Sequence, residues 1–256
     1  MAEYHFHDHY EIYYLLSGER YFFIEESRYL LKKGSMLFIG KQTIHKSMDA
    51  GKDDHERINV FFTEPFLCEY FAHCSGLLLS PFLRENRIVH LNLQEQSFAE
   101  SILFHMKAEN DNASNLGRDI SFVSHLAQLL LLAARAGKQP AEETANPMHP
   151  KVAEILEYCS VHFAEPISLE HLSGRFFISP YYLSRLFKKM TSFTLTEYVN
   201  LLRIREAQRL LRETDTSVIE IAQQVGYSNI SHFNRNFKRI ARMTPMGFKK
   251  NCSAAR

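Results

Sequence analysis

From Tyr10 to Phe62 the apolar side chains come in short bursts, "EIYYLLSG", "RYFFIEE", "YLLKKGSMLFIG" and "INVFF", rich in aromatic and β-branched residues and separated by glycine or charged turns. That spacing predicts strands of a barrel or sandwich. Beyond Gln94 the period lengthens. Phe98, Ile102 and Met106 recur four apart, and Phe122, Leu126, Leu129 and Leu130 form a stripe running into "LLLLAARAG", so two helices follow the strands. The second is apolar on more than one face, which suits burial in its own domain or contact with a second copy of the chain. "GKQPAEETANPMHP" then interrupts helix with Pro140, Pro147 and Pro150 and reads as a linker. After it nearly everything has helical spacing. Val152, Ile155, Leu156 and Cys159 share a face, Leu169 and Leu172 open a short helix after Ser168, and Ser179 and Pro180 stand as a cap and first helical position. The expected fold class is α+β in two domains: residues 1–136 a β-barrel domain with trailing helices, 137–149 a linker, and 150–256 an all-α domain.

The helical half repeats itself. "YLSRLFKKM" (182–190) returns as "HFNRNFKRI" (232–240), pairing Arg185 with Arg235, Phe187 with Phe237, Lys188 with Lys238 and Lys189 with Arg239. A gapless offset of fifty also pairs Leu169 with Ile219, Glu170 with Glu220, Phe177 with Tyr227 and Thr194 with Thr244, which duplication explains better than chance. Each copy predicts a short helix, a tight turn and a basic helix: 168–176 and 179–190, then 217–225 and 228–240. Gly226 supplies backbone freedom in the second turn. The run "TEYVNLLRIREAQRLLRE" joins the copies through one long helix. Leu183, Leu186, Phe187 and Met190 fall on one face of the first basic helix and Phe233, Phe237 and Ile240 on one face of the second, with the Lys and Arg residues mainly elsewhere.

Charge sharpens this picture. The whole chain carries a net charge of only +1, but residues 1–146 hold 14 basic and 20 acidic side chains (−6) and residues 147–256 hold 16 and 9 (+7). A basic helix face is often merely solvated. Here the duplication, the local excess and the Ser, Tyr, His and Asn side chains on the leading turns point to double-stranded DNA, read in successive major-groove segments about 34 Å apart.

At "IEIAQQVGYSNISHFNRNFKRIARMTPMGFKK" the chain resembles the AraC/XylS family of bacterial transcription regulators, matching its pattern at Ala222, Gly226, Tyr227, Ser231, Phe233, Arg235, Phe237, Lys238, Thr244, Pro245 and Phe248. The resemblance implies two helix-turn-helix units with base contacts from Tyr181, Ser184 and Arg185 in the first and Ile230, Ser231, His232 and Arg235 in the second. Lys188, Lys189, Lys238 and Arg239 complete the DNA-binding set. Ser184 and Ile230 stand where longer polar side chains are common in the family. Activation is the commoner outcome in that family, and RNA polymerase and a second subunit are the implied protein partners.

"HFHDHYEIYYLLSG" resembles the first cupin motif at His5, His7, Glu11 and Gly18, and "GSMLFIGKQTIH" the second at Gly34 and His45, with Gly40, Gln42 and Asp49 replacing its usual Pro, Gly and Asn. The first domain is therefore expected to be a cupin-like barrel that senses an effector. Strand alternation puts His5, His7 and Glu11 on one face, and His9 shares their parity. A barrel could bring His45 beside His5, His7 and Glu11, making a three-histidine, one-carboxylate metal set suited to Zn, Ni, Fe or Mn. The alternative is a polar pocket for a small organic effector such as a sugar or small acid, with Tyr13, Tyr21 and Phe23 as walls. No cofactor is otherwise indicated.

Cys68, Cys74, Cys159 and Cys252 lie far apart with no paired spacing, which speaks against a disulfide framework or zinc knuckle. No charged-then-apolar leader opens the sequence and "LLLLAARA" is too short to span a bilayer, so the expectation is a cytoplasmic protein with no membrane partner. Two rivals remain at this stage: a cupin metalloenzyme (oxygenase or isomerase) with an accessory helical domain, and an architectural DNA-binding protein with a vestigial barrel.

Overall fold

A computed structural model describes residues 6–51, 54–112, 114–136 and 148–254. The linker expected at 137–149 lies almost wholly outside them. The chain forms two compact units, one of Phe6–Phe22 with Tyr29–Asn146, and one of Pro147–Arg256 that also takes in Phe23–Arg28.

The first part of the chain runs β1 (Tyr10–Ser17), β2 (Glu19–Ile24), β3 (Ser27–Lys32), β4 (Ser35–Ile39), β5 (His45–Asp49), β6 (Glu56–Phe62), α1 (Glu64–Phe71), α2 (Ser75–Leu79), β7 (Ile88–His90), α3 (Leu93–Asp111) and α4 (Arg118–Ala136). The seven strands among the described residues group into two sheets, β6-β1-β4-β7 and β3-β2-β5, and not into one closed barrel. β1 is central in the larger sheet, antiparallel to β4 and β6, which explains why its first six residues are all buried. Alternation divides them. Ile12 and Tyr14 join Phe38, Val60 and the buried stripes of α3 and α4 in one core, while Glu11 and Tyr13 face the other way. Tyr13 there meets Phe22 of the second sheet edge-on, with ring centres 4.7 Å apart.

Two regions depart from the sequence reading. β5, "HKSMD", has no alternation strong enough to announce a strand. Glu64–Leu83 contains an 18-residue window of mean hydropathy 1.3 but breaks into α1, a 3₁₀ turn, α2 and a second 3₁₀ turn. Thr63 caps α1 by accepting the Phe66 N–H, and Pro65 sits in its first turn, a start signal present in the sequence.

The second part runs α5 (Pro150–His162), α6 (Leu169–Phe176), α7 (Pro180–Thr191), α8 (Leu195–Glu213), α9 (Val218–Gln224), α10 (Ile230–Ala241) and α11 (Pro245–Ala254). Ser168 and Ser179 cap their helices as expected, and Thr194 and Ser217 do likewise, each accepting an N–H from the first turn of its helix.

The duplication holds with one correction to its register. α7 and α10, their left-handed C-caps Ser192 and Arg242, and Thr194 with Thr244 keep the offset of fifty. The first helices do not, because the caps Ser168 and Ser217 are 49 apart. The bonds that close the two turns, Ile178 N–H to Ser173 O and Tyr227 N–H to Ala222 O, make Ile178 the structural partner of Tyr227 and Phe177 that of Gly226. The first turn is thus one residue shorter, and Glu170 and Glu220 are not equivalent. Phe177 adopts the left-handed conformation (φ 53°) with its side chain 96% exposed, where the second unit uses Gly226 (φ 88°).

The two turns should respond oppositely to mutation. A Cβ on Gly226 would lie 2.3 Å from the Ala164 carbonyl oxygen. Gly226→Ala is therefore expected to cost about 2 kcal/mol or more, from left-handed strain and this clash together. Phe177→Gly relieves the same strain, loses no buried contact, and should leave stability unchanged or raise it by up to about 1 kcal/mol after the added unfolded-state entropy. Thermal unfolding followed by circular dichroism separates the two.

Candidate effector site and nucleic-acid interface

The larger sheet and β5 bring together His7, Glu11 and His45, whose donor atoms all lie within 4.8 Å of one another. Glu11 points from β1 away from the helical core, His7 stands just before that strand, and His45 opens β5. His7 Nε2 is 3.1 Å and His45 Nε2 3.4 Å from the same oxygen, Glu11 Oε2, and Asn59 Nδ2 donates to Oε1 at 2.7 Å. Asn59 arrives through the β1–β6 register, which pairs it with Tyr13. No motif marks it, so the sequence reading missed it.

The imidazole orientation is informative. His7 Nδ1 is 2.9 Å from the His9 carbonyl oxygen and His45 Nδ1 2.9 Å from that of Thr43. A carbonyl only accepts, so each Nδ1 carries the proton and each Nε2 in a neutral ring presents a lone pair. Two lone pairs facing one carboxylate oxygen are favourable only with added positive charge, as second protons on the rings or a cation among the three groups. The donor set fits a metal. Ligand atoms about 2.05 Å from a tetrahedral zinc stand about 3.3 Å apart, close to the two histidine–carboxylate separations here, and backbone carbonyls on Nδ1 are common outer partners of metal-binding histidines.

Burial alone would push the Glu11 carboxyl up, but hydrogen bonds from His45 and His7, and their charge, outweigh it and hold the group down at about 2. His5 lies outside the described residues. His9 stacks on His7 with ring centres 3.8 Å apart, so it braces the cluster where parity alone left its role open. Tyr13 is buried beside Glu11 and near Arg57, and burial raises its phenol. Tyr21 is half-buried on β2, where alternation turns it away from the face that Phe22 presents to Tyr13.

In the helical unit Leu183 and Phe187 are buried under α7 and Phe233, Phe237 and Ile240 under α10. Tyr181, Ser184, Arg185, Lys188 and Lys189 are exposed on the first of these helices, and Ile230, Ser231, His232, Arg235, Lys238 and Arg239 on the second. Neither Arg185 nor Arg235 is a buried link between helices. Arg185 Nη1 donates to Tyr181 Oη at 3.1 Å and its guanidinium lies 5.6 Å from the Tyr181 ring centre, which orders the pair before any ligand arrives. Tyr181, Tyr182, Arg185, Leu186 and Lys189 line an open groove of about 550 Å³. On α10 His232 is held by Asn236 (3.0 Å), which also accepts from Arg239 Nη2 (3.2 Å).

Comparison with known proteins covers both halves. Residues 1–143 match the AraC-like ligand binding domain, and residues 172–251 match a helix-turn-helix domain. The HTH-type transcriptional activator RhaS of Escherichia coli O81 (strain ED1a) is 26% identical over 250 residues, spanning 96% of this chain and 87% of its own. Among solved structures, a Listeria innocua protein is 33% identical with a TM-score of 0.39, covering 40% of this chain and 97% of that one. The C-terminal domain of AraT, a response regulator from Geobacillus stearothermophilus, is 27% identical with a TM-score of 0.40, covering 41% and 88%.

The Glu11 carboxyl sets a pH dependence. Its folded value of about 2 is below the ordinary 4.5, so its stabilisation is complete above pH 4.5 and is lost as pH falls from there toward 2. Glu11→Gln cannot titrate and should show a flatter loss over that window. Melting temperatures of both proteins at pH 7, 4.5 and 3 check this.

Proposed function

The chain belongs to the AraC family of transcription regulators, with an N-terminal ligand-binding domain and a C-terminal helix-turn-helix DNA-binding domain, and from that premise we propose how each half works. α7 and α10 enter successive major-groove segments. Tyr181, Ser184 and Arg185, then Ile230, Ser231, His232 and Arg235, meet base edges, and Lys188, Lys189, Lys238 and Arg239 meet phosphates. The observation that carries this reading is the division of each helix into a buried apolar face and an exposed basic one. The matched family consists of regulators, which sets the metalloenzyme alternative aside.

The effector site is the His7, Glu11 and His45 cluster. A divalent ion bound there supplies the positive charge that the three groups demand, and Zn, Ni, Fe and Mn suit the donors. A second reading rests on Asn59, whose Oδ1 is buried without a hydrogen-bond partner. A small polar molecule such as a sugar or small acid, donating to that oxygen, would use the same pocket with Tyr13 as a wall. Either occupant regulates only if it favours one arrangement of the protein over another. The exposed Ile120 of α4, beside Phe122, Leu131 and Leu132 that pack only partly on their own core, supports a homodimer, which we place in the cytoplasm. The named role of RhaS as a transcriptional activator supports activation as the outcome, with RNA polymerase as the partner we propose.

Two measurements test this reading. Arg185→Ala should weaken binding to a cognate duplex by about 1–3 kcal/mol while leaving scrambled DNA nearly unaffected, if the guanidinium reads a guanine. Equal losses on both sequences, with a flatter salt dependence, would make it a phosphate contact instead. Metal analysis of untagged protein should find close to one ion per chain, lost in His7→Ala. Metal-free protein after incubation with each of the four ions would leave the pocket to the organic effector.

A further inference from the structure

Near the middle of α8 stands Arg203, half-buried. Its Nε donates to the carbonyl oxygen of Phe163 at 2.7 Å and its Nη2 to that of Glu165 at 2.8 Å. Phe163 is the C-cap of α5, where carbonyls have no partner within the helix. The same guanidinium lies 5.4 Å from the ring centre of Tyr227, in the turn between α9 and α10. Tyr227 Oη in turn donates to Asn200 Oδ1 on α8 at 2.7 Å. Gly226, beside it, lies so close to Ala164 that a Cβ would come 2.3 Å from the Ala164 carbonyl oxygen. One side chain and one bare glycine therefore fasten three things together: the α5–α6 connection that leads into the first helix-turn-helix, the long helix, and the turn of the second.

Packing on α8 alone would leave each unit free to pivot about that helix. The fastening removes the pivot, because the α9–α10 turn is pressed directly on the α5–α6 connection. An arginine suits the place because its rigid fork serves two carbonyls at once while its flat face takes an aromatic ring. We propose that Arg203 is a positioning residue for DNA recognition: it sets the separation and phase of α7 and α10, and so the spacing of the two DNA segments the protein accepts. This rests on the reading that both helices enter the major groove.

The experiment is selection of binding sites from a random 30-base-pair duplex library by the full-length protein and by Arg203→Met and Arg203→Lys. Circular dichroism confirms that each variant is folded. The wild type should select two short segments at one fixed separation, about 10–10.5 base pairs centre to centre. Arg203→Met should select the same segments with a broadened separation. On duplexes differing only in spacing, its preference for the fixed one should fall by roughly tenfold or more, as the linked second contact loses effective concentration. Arg203→Lys, able to reach one carbonyl but not both, should fall between and keeps the test open if the methionine variant does not fold. An unchanged spacing distribution in a folded variant overturns the proposal. So does a drop of about one in the slope of log affinity against log salt, which would mark Arg203 as a phosphate contact. Selection of only a single segment by the wild type would instead defeat the two-helix reading on which the proposal stands.

Discussion

A helix-turn-helix of some twenty residues cannot bury enough apolar surface to hold itself together, and two of them in one chain share the remedy, which is α8. This helix is buried on nearly every side. Leu195, Tyr198, Val199, Leu201, Leu202, Ile204, Ala207 and Leu211 are all inaccessible, and they meet α7 on one hand and α9, α10 and α11 on the other. Even its buried polar residues are employed. Asn200 donates to the Thr196 carbonyl oxygen and accepts the Tyr227 hydroxyl, so it carries no unmet hydrogen bond into the core on either side. With the interior claimed by α8, α7 and α10 are left with one outward face each, and that is where the basic residues stand.

Much of this was legible in the sequence because it depends on local rules. Helix starts follow from hydroxyl caps such as Ser179 ahead of Pro180, and the buried and exposed faces follow from the 3.6-residue period. The family motif at Ala222–Phe248 supplied the rest. The one-residue difference between the turns was not legible. Glu170 and Glu220 match in identity at an offset of fifty, and only the bonds that close each turn reveal that Phe177 stands in the place of Gly226. Sequence similarity aligns side chains, whereas a turn is defined by its backbone.

The N-terminal site shows the complementary limit. His7, Glu11 and His45 were found by motif, yet their protonation logic depends on which carbonyl each Nδ1 faces, and that is set by chain path. Asn59 reaches Glu11 only through strand register, a long-range property no local pattern encodes. The same holds for β5, whose weak alternation hides a strand that carries His45. Glu11 lies on β1 of one sheet and His45 on β5 of the other, so on the proposed reading an ion or molecule held by both would touch strands of both sheets.

The shortened first turn has a consequence for how the molecule lies on its target. α7 presents Tyr181 and an arginine braced against it, α10 presents His232 held by Asn236, and the turns that aim them differ by a residue. On the proposed reading the two heads are not interchangeable, and a single chain would distinguish left from right along a duplex. Such a site would have a direction, like an arrow and unlike a palindrome, and reversing it relative to a neighbouring sequence would place a different head, and a different face of the protein, toward that neighbour.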